Sequence, residues 1–423
     1  MTTTPSLVQP DDVVAARELL RDVISSTPVM YSRALSELLG GPVYLKCENL
    51  QRTGSFKVRG AYTRIARLSE EERARGVVAA SAGNHAQGVA FSSSLLGTKS
   101  TVIMPERAPI PKVEATRAYG ADVVLHGGCV EDTLEEAHAF AERTGSVFIH
   151  PFDHSDIIAG QGTLGYEIIE QCPQVKTILV PVGGGGLAAG ITVAVKSLDP
   201  SVRVVGVQAA AVAPYPASLA AGRSLPATGR PTMADGIAVQ RPGDLPLSIL
   251  AELGDGVVTV SETALSQALL LCLERAKQVV EPAGAAGVAA LLSLGDSRTD
   301  MTGARGSIGA IGAKIVPPVV VVLSGGNIDP LLLSKLLRHG LAASGRFLGI
   351  RCRVADHPGS LAELLGYLAG MGANVLEVSH ERLAPSLRVD EVTVVLQVET
   401  RGPEHCEIVK RKLQAAGYAP VFS

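Results

Sequence analysis

The sequence predicts an α/β protein of two lobes packed around one cleft. Short apolar strands alternate with helical segments in two successive series, which is the pattern of parallel βαβ units. Glycine- and hydroxyl-rich clusters follow the carboxyl ends of strands, where such folds present their ligands. A chain of 423 residues, 46 % of them hydrophobic, has enough apolar material for two or three domains.

The elements follow in order. Asp11 to Ile24 reads as a helix, closed by the turn Ser25 to Pro28. Val43 to Cys47 alternates as a short strand, and Glu48 to Leu50 leads to T-G-S-F-K-V-R-G at 53 to 60 and a helix from Val58 to Leu68. Strands of the first series are expected at Gly76 to Ala80, Ser100 to Met104, Asp122 to Leu125 and Val147 to His150. Those of the second are expected at Thr177 to Val182, Val202 to Gln208, Gly256 to Val260 and Pro318 to Leu323. Asp296 to Pro317 is rich in small residues without periodicity and reads as a surface insertion. After the helix Leu331 to Leu341 the residues 341–345 read as a linker, and a separate domain is expected over 346–423.

Composition narrows the function. The net charge is −3 without a long basic run, so nothing suggests an electrostatic nucleic-acid footprint. The first residues lack a basic start and an apolar core, and no apolar run approaches the roughly 20 residues of a membrane helix. A cytoplasmic protein acting on small molecules is expected. Cysteines at 47, 129, 172, 272, 352 and 406 form no C-x-x-C, which predicts reduced, buried thiols rather than a disulfide framework or a zinc site. His150 and His154 have helical metal spacing, but Pro151 lies between them and no H-E-x-x-H is present, so no metal is expected there.

Four clusters carry chemistry. Lys57 can form a Schiff base with a carbonyl if burial lowers its pKa, with Phe56 as an apolar wall and Gly54 and Gly60 allowing close backbone approach. Without that role, the stretch is a turn into a helix. Gly183-Gly184-Gly185-Gly186-Leu187 follows a strand and opens the helix Leu187 to Leu198, so its amides and the helix dipole suit a phosphate. The loop also fits G-x-G-x-x-A, but the acidic residue a dinucleotide needs on the next strand is absent, and no G-K-[ST] indicates a nucleoside triphosphate. Ser81-Ala82-Gly83-Asn84-His85 offers amides, a hydroxyl and an amide side chain suited to a carboxylate; an ordinary helix cap is the alternative. Ser324-Gly325-Gly326-Asn327 follows the last apolar strand, and its hydroxyl could face a ring nitrogen. Together these features describe pyridoxal phosphate held with an amino acid.

The motifs S-F-K-V-R-G-A, S-A-G-N-H-A-Q-G, H-P-F-D, G-Q-G-T, P-V-G-G-G-G-L and S-G-G-N resemble those of the fold type II pyridoxal-phosphate enzymes. That two-lobed, tryptophan-synthase-β-like fold would cover 1–340, with a smaller lobe at roughly 55–155. Among its members the chain is most similar to the L-threonine dehydratases, or threonine ammonia-lyases. The resemblance implies that Lys57 anchors the cofactor and moves the Cα proton, and that Asn84 bonds the ring oxygen. It further implies Gly183, Gly184, Gly185, Gly186 and Leu187 at the phosphate, Ser324 at the ring nitrogen and Phe56 beside the ring. Ser81, Ala82, Gly83, Asn84 and His85 would take the substrate carboxylate. The implied reaction turns L-threonine into 2-oxobutanoate and ammonia, with L-serine as a second substrate.

Two departures matter. Related serine racemases carry a second base where this chain has Ala82, so dehydration is favoured over racemisation. Some relatives bind a divalent cation through acids at positions matched here by Gln208 and Pro214. The last domain, with D-H-P-G-S-L-A and a βαββαβ order, resembles an α+β ACT domain. That resemblance implies homo-oligomers, a dimer or tetramer, and an amino-acid effector site at Asp356, Pro358, Gly359 and Asn374. An oligomerisation-only domain is the alternative. Rival readings are another type II lyase preferring serine, a catalytically silent amino-acid sensor, and a dinucleotide oxidoreductase.

Overall fold

The computed structural model describes residues 8–299, 315–382 and 388–422. The chain divides into two compact units, Met1–Pro330 and Leu331–Ser423. The division falls about ten residues before the linker expected at 341–345, because a helix continues over Pro330–Ala343 and leaves no extended spacer there. The insertion expected at 296–317 lies mostly outside the described residues, and its first positions continue the helix Ala286–Thr299. No described helix is long and apolar enough to cross a membrane.

Within the first unit the described strands form two sheets. The larger is built from β1 (Val29–Tyr31), β2 (Val43–Lys46), β7 (Thr177–Pro181), β8 (Arg203–Ala209), β9 (Val257–Val260) and β10 (Val319–Val322). Its order is β1-β2-β10-β7-β8-β9, and all pairings are parallel except β1 with β2. The smaller sheet is built from β3 (Val77–Ala80), β4 (Ser100–Met104), β5 (Asp122–Leu125) and β6 (Val147–Phe148), and is parallel throughout in the order β5-β4-β3-β6. Its residues all lie between β2 and β7 in the sequence, so this lobe is an insertion into the larger one.

Burial explains why the central strands read as continuous apolar runs. β10 is Val-Val-Val-Val with every residue buried, as a parallel strand covered on both faces requires. The same covering corrects the reading of β2 as an alternating strand. Lys46 at its end is fully buried, because its amine donates to Glu167 at 2.7 Å and to the Thr27 carbonyl at 2.6 Å.

The helix Ser155–Gln171 packs between two others through glycines. A Cβ on Gly160 would stand 2.4 Å from the Arg59 carbonyl, and one on Gly162 would stand 2.7 Å from the Gly190 carbonyl. Only glycine lets the three backbones approach this closely, which gives G-Q-G-T a packing role. The helix Lys57–Ala66 therefore packs against Ser155–Gln171 with backbone in close contact at Arg59 and Gly60.

The second unit is a four-stranded antiparallel sheet of β11 (Phe347–Ala355), β12 (Asn374–Glu381), β13 (Glu391–Glu399) and β14 (Val421–Phe422), in the order β12-β13-β11-β14. Helices Ser360–Gly370 and Pro403–Ala415 supply Leu364, Leu368, Val409 and Leu413 to a core with Ile350, Val394, Leu396 and Val398. The register separates the residues expected to share an effector site. Asn374 pairs with Glu399 at one end of the sheet, whereas Asp356 follows Ala355, which pairs with Glu391 at the other. Within one chain these two side chains do not form a single site. Asp356 is instead bound by Arg382, with both contacts at 3.2 Å.

The six cysteines are free, and five are buried as expected; Cys129 is exposed, because it stands at the start of a surface helix, Val130–Thr144.

Candidate active site

Lys57 opens its helix two residues after Ser55, which makes a β-bridge to Gly325. The Phe56 amide donates to the Ser324 carbonyl at 3.2 Å, and the Gly326 amide to the Gly54 carbonyl at 2.9 Å. The lysine turn and the turn after β10 are thus one backbone assembly. The Lys57 amine donates to the Pro151 carbonyl at 2.9 Å and lies 5.2 Å from the centre of the Phe56 ring. Burial holds the amine down at about 8, although the Glu281 carboxylate pulls the other way. At that value an appreciable fraction is a neutral nucleophile near neutral pH.

The turn after β3 faces the same helix. A Cβ on Gly88 would lie 3.1 Å from the Lys57 carbonyl carbon, so the helix Asn84–Leu95 crosses Lys57 at a glycine. The Ser81 hydroxyl accepts from the Gly83 amide at 3.1 Å and closes the turn. A Cβ added to Gly83 would meet nothing within 4 Å, so open space adjoins it. The His85 ring is directed elsewhere: its Nε2 pairs with the Ile149 carbonyl at 2.8 Å, and burial, then Lys57, hold it down at about 3. Neutral His85 thus has its Nε2 committed to the Ile149 carbonyl.

Asn84 is tied into a chain of amides. Its nitrogen donates to Glu281 at 2.6 Å, and its oxygen accepts from Asn327 at 2.8 Å. Ser324 is nearly buried, and among the described residues its hydroxyl has no hydrogen-bond partner.

The glycine turn lies between β7 and the helix Gly186–Leu198. Among the described residues, the amides of Gly183 to Leu187 donate to no other protein group. Gly185 has φ +100°, and a Cβ there would fall on the Tyr215 hydroxyl. The Phe152 ring covers Gly184, and the Gln161 side-chain oxygen, buried without a partner, stands 2.8 Å from where a Gly186 Cβ would be. Unsatisfied amides at a helix start suit an anion with several oxygens. A phosphorylated aldehyde fits this set: phosphate at the turn, carbonyl at Lys57 and a ring nitrogen at Ser324.

The sequence reading leaves out Glu281 and Tyr215, and it assigns no role of their own to Asn327 inside S-G-G-N or to Pro151 and Phe152 inside H-P-F-D. An acid inside V-V-E-P-A-G-A-A is a signal that could have exposed Glu281, since burial, then Asp235, push its carboxyl up to about 7. It also missed the buried charges beneath Lys57. Arg59 donates to both Glu48 oxygens, at 2.7 and 2.9 Å, and to Glu167 at 2.6 Å. The two histidines of the rejected metal pair have ordinary work. His150 Nδ1 accepts from the amides of Phe152 and Asp153, and His154 caps the helix Ser155–Gln171 at Asp156.

Residues 20–302 match the family model described as pyridoxal-phosphate dependent enzyme. The chain is 47 % identical over 408 residues to an L-threonine ammonia-lyase of Thermotoga maritima, covering 96 % of this chain and 98 % of that protein. It is 43 % identical to the L-threonine dehydratase catabolic TdcB of Escherichia coli, over 77 % of this chain and 95 % of that one. Among solved structures, a threonine deaminase from T.th. is 42 % identical, with a TM-score of 0.68 over 76 % of this chain and 99 % of its own. Maize serine racemase is 33 % identical, with a TM-score of 0.72 over 80 % and 99 %.

Proposed function

The chain belongs to the pyridoxal-phosphate dependent enzyme family, and on that premise we propose that Lys57, Asn84, Ser324 and the turn Gly183 to Leu187 hold the cofactor for the deamination of L-threonine. The reaction is that of a threonine ammonia-lyase: water leaves in the elimination, a water is taken up again in hydrolysis, and the net products are 2-oxobutanoate and ammonia. We include L-serine, giving pyruvate, as a second substrate. The carrying observation is the half-buried Lys57 amine, held down at about 8 and joined through the Pro151 carbonyl to the segment that covers the glycine turn.

When bound, pyridoxal 5′-phosphate supplies an electron sink for the bonds at the substrate Cα. The residues of this chain do the rest. Lys57 would hold the cofactor aldehyde and, with its amine free and neutral, would move the Cα proton. Turn amides at Ser81 to His85 receive the substrate carboxylate beside the open space at Gly83. Ser324 would face the ring nitrogen with a neutral hydroxyl, and Phe56 would pack beside the ring. Asn84 would bond the ring oxygen and is itself held by Glu281 and Asn327. Racemisation would need a base on the opposite face, and the Ala82 methyl cannot serve as one.

The C-terminal unit, with its βαββαβ order, we read as an ACT-like regulatory module responding to an amino acid. A cytoplasmic homodimer or homotetramer remains part of this reading.

Two measurements test it. Wild type should release 2-oxobutanoate and ammonia from L-threonine, and Lys57→Ala should lose at least ~10³-fold in rate, since the anchor and the proton carrier go together. The rate of cofactor capture by cofactor-free wild type should rise about tenfold from pH 7 to 9 and level off, following an amine near 8. A continuing, roughly hundredfold climb over the same range would mean a solvated lysine and would sink the assignment of Lys57.

A further inference from the structure

A glutamine near the end of a buried parallel strand, after Val-Val-Gly-Val, calls for an explanation. Gln208 lies in β8 among valines and is fully buried, yet both ends of its amide are used. Its nitrogen donates to the Val182 carbonyl at 3.2 Å, and its oxygen accepts from the Tyr215 amide at 3.1 Å. Tyr215 is also fully buried, and its hydroxyl donates to the Gly184 carbonyl at 3.0 Å. The Gly184 carbonyl takes a second bond, from the Gly243 amide at 3.1 Å. A continuous strut therefore runs from Val182 through Gln208 and Tyr215 to Gly184, bracing both sides of Gly183.

Peptide geometry gives the strut a consequence. In a planar trans peptide the carbonyl of one residue and the amide of the next point in opposite directions. Drawing the Val182 carbonyl toward Gln208 turns the Gly183 amide away from β8. Drawing the Gly184 carbonyl toward Tyr215 and Gly243 does the same for the Gly185 amide. Both amides are among those with no protein partner, and Gly185 is held at φ +100°, against Tyr215. Burying two polar side chains costs stability unless they are bonded, and here the bonds go to the carbonyls that set the direction of the turn.

The geometry points to Gln208 and Tyr215 as positioning residues that aim the Gly183 and Gly185 amides at the cofactor phosphate. This rests on the reading of the glycine turn as the phosphate site, and the test separates the two. Pyridoxal 5′-phosphate and pyridoxal, which lacks the phosphate, are titrated into cofactor-free wild type, Tyr215→Phe and Gln208→Met, following the visible absorbance of the bound aldehyde. Each variant should bind pyridoxal phosphate ~10-fold more weakly, the cost of misdirecting one buried hydrogen bond, while pyridoxal affinity stays within about twofold. Equal weakening toward both ligands would reduce the strut to general support of the fold, and unchanged affinity for both would remove it; either result overturns the inference. Absence of any preference for the phosphate ester in wild type would reject the phosphate site itself and the inference with it. Tyr215→Phe removes a single oxygen atom, so it carries the test if Gln208→Met does not fold.

Discussion

The Asn84 side-chain nitrogen donates to the Glu281 carboxylate at 2.6 Å, joining the start of a helix in the inserted lobe to a residue 197 positions later. Burial, then Asp235, push that carboxyl up to about 7 from an ordinary value of 4.5. The folded protein therefore holds the Glu281 proton more tightly than the unfolded chain does. Its contribution to stability is fully present below about 4.5 and is lost as the pH rises through about 7. Glu281→Gln keeps an acceptor for Asn84 and removes the titration. In urea unfolding of the cofactor-free proteins, the stability of wild type minus that of the variant should fall by up to ~3 kcal/mol between about pH 4 and pH 8. A flat difference would mean that Glu281 ionises normally.

Beneath Lys57, the Arg59 guanidinium holds Glu48 and Glu167, and Lys46 holds Glu167 from the other side. Arg59, Glu48 and Lys46 are all fully buried, so removing one charge strands the others. Arg59→Met should cost about 3–5 kcal/mol in denaturant unfolding, because Glu48 loses its guanidinium partner. Adding Glu48→Met should return at least half of that loss, since the stranded carboxylate goes too. A double variant no more stable than the single would mean that packing, not charge pairing, sets the cost.

Local features are legible in the sequence and distant pairings are not. Lys57, the turn at 183 to 187 and Ser324 each lie in a short motif whose chemistry depends on neighbours within a few positions. Tyr215 meets Gly184 only because the neighbouring parallel strands β7 and β8 end side by side, and Glu281 meets Asn84 only across the two lobes, 197 positions apart. Lys46 misleads for a related reason: charge in a strand suggests solvent until a partner 121 positions away is known. Asp356 and Asn374 are grouped by resemblance, and within one chain the antiparallel register of β11, β12 and β13 puts them at opposite ends of the sheet, so a shared site would need a second copy of this unit.

Gly83 separates a binding role from a structural one more cleanly than any other glycine at the site. Its φ of −136° is one that any residue adopts, and a methyl there would touch nothing within 4 Å. Gly83→Ala should therefore leave unfolding free energy within about 0.5 kcal/mol of wild type and leave cofactor affinity unchanged. If the turn from Ser81 to His85 receives the substrate carboxylate, the same methyl occupies the space the carboxylate needs. KM for L-threonine should then rise by roughly tenfold or more, the worth of one charge-assisted hydrogen bond. Gly185→Ala supplies the contrast, because a Cβ at φ +100° falls on the Tyr215 hydroxyl and must disturb the turn itself, so cofactor affinity should fall along with activity. An unchanged KM in Gly83→Ala would move the carboxylate away from this turn while leaving the cofactor assignment standing, since the two sites share Asn84 but not Gly83.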